Sequence, residues 1–183
     1  IVPNLATELP QVSADFKTIT FKIKKGIYFA DDPAFKGVKR ELTAEDVIYS
    51  FKRHYDPKLK SYAINTLQSS KVIGLNALRA QAIKNKTPFP YDTEVEGARA
   101  LDRYTVQFKL EDPAPRFHEI FTDPSLYGVV AREVVEFYGD KIMEHPVGTG
   151  PFKLGEWRRS SKIVLLKSPE YREVLYEAEP QAE

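Results

Sequence analysis

A chain of 183 residues with 42% hydrophobic content is long enough to bury a core, and its 27 basic and 26 acidic side chains leave a formal net charge of only +1. That balance, with no segment concentrating positive charge, excludes a surface built to track nucleic acid. With no cysteine there is no disulfide, thiolate chemistry or cysteine-ligated zinc, and no run of about 18 apolar residues is present to cross a membrane as a helix.

The opening Ile1-Val2-Pro3-Asn4 has neither a starting methionine nor a charged-then-apolar secretory pattern, so the chain is expected to begin inside a longer gene product. After a lead containing Leu5, Ala6 and Leu9, residues 17–24 alternate, with Ile19, Phe21 and Ile23 on one face, which predicts a half-buried strand. Lys25-Gly26 breaks it. Ile27-Tyr28-Phe29 then resumes an extended run, predicted to be a second strand or hairpin partner, before a polar loop through Arg40.

Leu42-Thr43-Ala44-Glu45-Asp46 is a helix start: Thr43 can cap free amides, and the two acids sit against the positive end of the dipole. Ala44, Val47, Ile48 and Phe51 fall on one helical face, with Lys52 and Arg53 near the carboxyl end. Glu45 and Asp46 are not an acid-base pair, because adjacent helical residues point about 100° apart. Asp56-Pro57 ends the segment, and residues 58–70 read as polar with Tyr62, Ile64 and Leu67 as isolated anchors.

Residues 75–84 predict a short amphipathic helix, stopped at Thr87-Pro88-Phe89-Pro90, and a turn-rich stretch leads through Gly97 to Leu101-Asp102. Tyr104, Val106, Phe108 and Leu110 alternate as a further strand. Asp112-Pro113-Ala114-Pro115 opens a helix carrying Phe117, Ile120 and Phe121, residues 126–130 are extended, and Arg132 to Tyr138 is a helix ended by Gly139.

The densest turn signal is Pro146-Val147-Gly148-Thr149-Gly150-Pro151, running into Phe152-Lys153-Leu154. A glycine-rich turn can cradle a phosphate, but that needs a helix directly behind it. Pro151 and the alternating run predict a strand instead, so Gly148, Thr149, Gly150 and Pro151 are read as a structural motif. Residues 152–157 and the apolar Ile163-Val164-Leu165-Leu166 make a hairpin, its second strand expected to be buried on both sides.

No nucleophile accompanies a base. The histidines, His54, His118 and His145, are widely spaced, no Gly-Xaa-Ser-Xaa-Gly elbow is present, and no pair has the spacing of a helical zinc site. They read as surface or structural histidines, and no catalytic residue, metal site or cofactor is assigned.

The run Phe21 to Phe29, then Leu42 to Arg53, Asp102-Arg103-Tyr104-Thr105-Val106, the turn Pro146 to Phe152, and Ser168-Pro169-Glu170-Tyr171 resemble, in order, the blocks of the oligopeptide and dipeptide class of extracellular solute-binding proteins, the receptors of ATP-driven bacterial importers. The resemblance covers nearly the whole chain, although members of that family are several times longer and close two lobes over a ligand. It implies an α+β fold, a mixed sheet and hairpins with short helices, forming part of the first lobe of a two-lobe periplasmic binding protein. Residues 1–110, with an extended lead over 1–16, would be the smaller subdomain of that lobe, residues 111–176 part of its main subdomain, and 177–183 a disordered tail. The implied partners are a peptide or similar solute and a membrane permease, at a periplasmic or extracytoplasmic location.

In the resembling family a tyrosine shortly after the Asp-Pro block lines the ligand chamber. Tyr62 matches best, with its spacing from Asp56-Pro57 one residue short; its plainer reading is a half-buried surface tyrosine. A lobe without its partner is expected to bind solute poorly and to self-associate through an uncovered face. A reading from another class is a self-contained, non-enzymatic interaction module that pairs through exposed strand edges.

Overall fold

Residues 3–123 and 127–174 are described by the structure, a computed structural model. The main sheet holds β1 (Gln11–Val12), β2 (Thr18–Lys22), β3 (Ala98–Asp102) and β4 (Thr105–Lys109), antiparallel in the order β1-β2-β4-β3. Helices α1 (Ala44–Arg53), α2 (Ile64–Ser69) and α3 (Leu75–Asn85) fill the long connection from β2 to β3, and α4 (Arg132–Tyr138) follows the sheet. A separate hairpin pairs β5 (Phe152–Arg158) with β6 (Lys162–Lys167). The arrangement is α+β, as the sequence predicts.

The sheet buries one face because its strands alternate. Ile19 lies opposite Phe108 and Phe21 opposite Val106, and Ile19, Val106 and Phe108 are almost fully removed from water. Helix α1 lays its apolar stripe on that face. Its Phe51 ring stands 4.7 Å from Phe108 and 5.8 Å from Phe121, and contacts Tyr55 and Phe117 as well. One cluster of buried residues runs from Ile19 to Val134 and takes in Phe117 and Ala131. Tyr55, also fully buried, gives its hydroxyl proton to the Leu67 carbonyl at 2.9 Å, so its polar tip is satisfied inside the core.

Several local expectations differ from what forms. Ile27-Tyr28-Phe29 is a pairing partner but too short for a full strand: it meets the 40–42 segment through one antiparallel bridge, Tyr28 with Glu41, flanked by the Phe29 N–H to Arg40 carbonyl and Leu42 N–H to Ile27 carbonyl bonds. The polar stretch after Asp56 contains α2, whose short apolar set gave little period to read. Strand β3 was hidden in a stretch rich in turn residues, and the helix expected after Pro115 is 3-10, Phe117–Thr122. The forecasts for Ile1-Val2, Leu126 and the tail 177–183 lie outside the described residues.

The largest difference concerns β6. Its apolar run predicts cover on both sides, yet Ile163 is 63% exposed, Leu165 58% and Leu166 50%. The hairpin has only two strands, and no other described element packs broadly across it. A continuous apolar run forecasts burial only where another layer exists to supply it.

Gly97 marks the tightest backbone contact. Its N–H donates to the Ile73 carbonyl, the Ile73 N–H to the Lys109 carbonyl and the Lys109 N–H to the Gly97 carbonyl, each at 3.0 Å. A Cβ there would lie 2.4 Å from both the nitrogen and the oxygen of Ile73. Because those atoms are backbone, Gly97→Ala must part the start of β3 from the 72–73 segment. It is expected to cost about 3 kcal/mol, read as a lower urea midpoint with an unchanged slope; a cost below about 1 kcal/mol would show that the segments separate freely.

Candidate functional site

The local geometry that builds a site starts at the amino end of α1. Thr43 is extended, and the Asp46 carboxylate reaches back to accept from the Thr43 N–H at 2.8 Å and from its hydroxyl at 3.0 Å. The same carboxylate takes two guanidinium bonds from Arg40, at 2.7 and 3.0 Å, a bidentate pair. Arg40 also donates from Nε to Glu133 of α4 at 2.6 Å. Asp46, 3% exposed, therefore fastens the helix cap to the preceding loop and, through Arg40, to α4.

Burial pulls against the charge on Arg40, but the bonds from Asp46 and Glu133 outweigh it and raise its pKa above the ordinary arginine value. For Glu133 burial likewise opposes ionisation, and the bond from Arg40 prevails, holding its carboxyl below the usual glutamate range.

In its last turn α1 presents Lys52, which the sequence places near the carboxyl end of the helix. It is 6% exposed and donates to the carbonyls of Tyr91 and Thr93, both at 2.9 Å. Burial lowers its pKa, against the opposing field of Glu45, Asp92 and Glu94. The Tyr91 hydroxyl donates to Asp56 at 2.7 Å, so the 91–93 segment is pinned to α1 and to the turn behind it. Arg132 of α4 closes the far side, bonded to Asp92 and, at 2.6 Å, to Glu136.

Between these walls lies a cleft of about 650 Å³ bounded by α1, residues 91–94, β3 and α4. Six carboxylates and four cations line it, an excess of two negative charges. Tyr49 and Tyr91, with ring centres 5.1 Å apart, give it an aromatic patch. No sequence signal announced this site. Arg40 and Asp46 are six apart across a helix boundary, and Lys52 and Thr93 come together only through the fold.

The residues singled out from sequence lie elsewhere and apart from one another. Tyr62 stands between the Pro57–Leu59 turn and α2 with 74% of its surface exposed, so it is not half-buried. In the 146–151 turn, the Gly148 carbonyl accepts from the Ala30 N–H at 2.9 Å and the Pro151 carbonyl from the Ser168 N–H at 2.8 Å. Neither Gly148 nor Gly150 takes a left-handed φ, and a side chain at either would meet open space. His54 meets Ser61 Oγ at 2.8 Å, His145 stacks on Tyr138 at 3.8 Å, and His118 lies in the turn after β4. Among the described residues no group of three or more histidine, aspartate or glutamate side chains is placed to hold a metal.

This architecture is that of bacterial substrate-binding receptors. The substrate-binding domain of an oligopeptide ABC transporter from Bacillus anthracis matches with a TM-score of 0.72 at 26% identity, over 93% of this chain and 30% of that one. Residues 1–181 match the family model described as bacterial extracellular solute-binding proteins, family 5 middle, and the chain belongs to that family. The periplasmic oligopeptide-binding protein OppA of Salmonella typhimurium is 30% identical over 159 residues, 86% of this chain and 26% of the relative. The dipeptide-binding protein of Escherichia coli is 30% identical over 175 residues, 89% of this chain and 28% of the relative. The chain thus spans between a quarter and a third of the length of these relatives. None of its described helices is long and apolar enough to cross a membrane.

Removing Arg40 strands the buried Asp46 carboxylate and unties Glu133. Arg40→Ala is expected to cost about 3 kcal/mol at neutral pH, measured by chemical unfolding. Glu133 has a lowered folded pKa, so its contribution is present above the unfolded value near 4.5 and fades as pH falls through the folded one. The gap between wild type and variant should therefore narrow below that pH; a gap that stays constant down to pH 3 would contradict the ion-pair account.

Proposed function

We propose that this chain supplies part of the first lobe of a two-lobed receptor, which captures a peptide or similar small solute outside the cytoplasmic membrane and delivers it to the permease of an ATP-driven importer. The observation that carries this reading is the bare apolar face of the hairpin. The β5–β6 register sets Leu154 against Leu165 and Trp157 against Ile163, so these side chains and Phe152 share one side. Phe152 is 61% exposed and Trp157 43%. A contiguous aromatic and aliphatic surface of this kind is what a longer receptor would cover, and the relatives are long enough to do so.

In this reading residues 1–110, centred on the main sheet, form the smaller subdomain, and residues 111–176, with the hairpin, form part of the main one. The turn at Gly148, Thr149, Gly150 and Pro151 sets the base of that hairpin. Tyr62, open to solvent, lines the ligand chamber once the second lobe closes, and the receptor is not an enzyme. The reading of a self-contained module pairing through strand edges finds no support among the relatives, all named as binding proteins.

Calorimetry with neutral dipeptides and oligopeptides tests the proposal. The chain alone should show no micromolar binding, because half of the enclosing surface belongs to the other lobe. The same residues within a full-length receptor should bind, and Tyr62→Ala there should weaken capture about ten-fold. Micromolar binding of neutral peptides by the chain alone would overturn the two-lobe reading.

The uncovered face should also make the isolated chain associate with itself. Sedimentation is expected to show a concentration-dependent dimer, and Trp157→Lys with Leu165→Lys should return it to a monomer. A wild-type chain that remains monomeric at millimolar concentration would count against an exposed apolar interface.

A further inference from the structure

The charged cleft has one wall that its ion pairs do not use. Ala98, Arg99, Ala100 and Leu101 of β3 all line it, and no residue of β4 does. Consecutive strand residues point to opposite faces of a sheet. A cavity touched by four in a row, and by none of the neighbouring strand, therefore runs along the outer edge of β3 and not over either face.

That edge is open. Among the described residues β3 has β4 as its only partner within the sheet. The Lys109 N–H to Gly97 carbonyl bond fixes the phase of the ladder. By alternation Arg99, opposite Gln107, faces β4, while Ala100, opposite Val106, turns its N–H and carbonyl outward toward the cleft. Edge groups of this kind are templates for an added strand.

We propose that this cleft is a docking site for an extended, basic segment of a partner protein, which adds as a strand along β3. Four residues of strand span about 13 Å, and a volume of 650 Å³ accommodates a segment of that length. The excess of two negative charges selects the sign of the partner. Arg40 and Arg132 are already paired with carboxylates and Lys52 is occupied by two carbonyls, whereas Glu45 and Glu94 form no ion pair among the described residues. Lysine or arginine side chains at alternate positions of the incoming strand would project from one side of it toward these two glutamates, and the Tyr49–Tyr91 patch, one helical turn along α1 from Glu45, would receive their aliphatic stems and cationic heads.

With the cleft's cations so engaged, apart from Arg99, it has little with which to read a carboxyl terminus. The segment it fits is therefore internal to a chain, a loop or tail, and not a free peptide held by its ends. The site is independent of the solute chamber proposed above, and the neutral peptides used to test that chamber do not probe it.

The experiment is a titration of the chain with an acetylated, amidated pentapeptide of alternating valine and lysine, followed by amide chemical shifts and calorimetry. Saturable binding with shifts centred on residues 98–101 is expected, equal for capped and free termini. Methylating alternate peptide nitrogens should weaken binding at least ten-fold, since it removes strand hydrogen bonds without changing charge. Replacing lysine by glutamate, or the double substitution Glu45→Gln with Glu94→Gln on the protein, should weaken it about ten-fold, while the thermal midpoint of the variant stays near wild type. Equal affinity for the N-methylated peptide would overturn strand addition. Binding that needs a free carboxylate, or no binding at millimolar peptide, would overturn the site.

Discussion

The carboxylate of Asp46 is the point on which the polar half of this structure depends. It sits almost out of water, where an unpaired charge would be costly, and accepts four bonds, three at Oδ2 and one at Oδ1. Two of those bonds close the amino end of α1. The other two hold the Arg40 loop, which in turn reaches α4. One buried acid thus converts a local helix cap into a three-segment joint that ties α1 to α4, and all three of its charged side chains line the cleft.

The opposite side of α1 does the complementary work. Phe51 packs among Phe108, Phe117 and Phe121, so the helix is clamped to the sheet by apolar contact on one flank and to α4 by charge on the other. The two kinds of contact respond differently to conditions. Aromatic packing is indifferent to pH, whereas the Arg40 to Glu133 link fades in acid as the glutamate protonates. Acid should therefore loosen α4 against α1 before it loosens α1 against the sheet.

What the sequence made legible follows from how local each signal is. Alternation in 17–24 and 104–110 and the Thr43 to Asp46 cap are short-range patterns, and β2, β4 and α1 form where those patterns lie. Strand β3 carried no such pattern, and Gly97 just before it must lack a side chain because the backbone of Ile73 approaches there, a constraint that only the fold reveals. The cleft was illegible for a related reason. Its walls come from residues 40–52, 91–101 and 132–136, and their charges acquire meaning only when brought together. Family membership, by contrast, was readable because ordered blocks spread along a chain are a property of sequence alone.

Strand β6 is the most informative mismatch, because its apolar run fits a buried strand and its surroundings do not supply the burial. Ile163, Leu165 and Leu166 are residues suited to a buried strand, yet they stand in water. Burying a large aliphatic side chain is worth roughly 2 kcal/mol, so a surface composed this way forgoes stabilisation unless something covers it. The β3 edge differs in kind: its outward groups are polar backbone and its surroundings are charged, so water satisfies it at little cost when it is empty. The hairpin face therefore calls for a permanent neighbour such as the rest of a longer receptor, whereas the β3 cleft is suited to a partner that comes and goes.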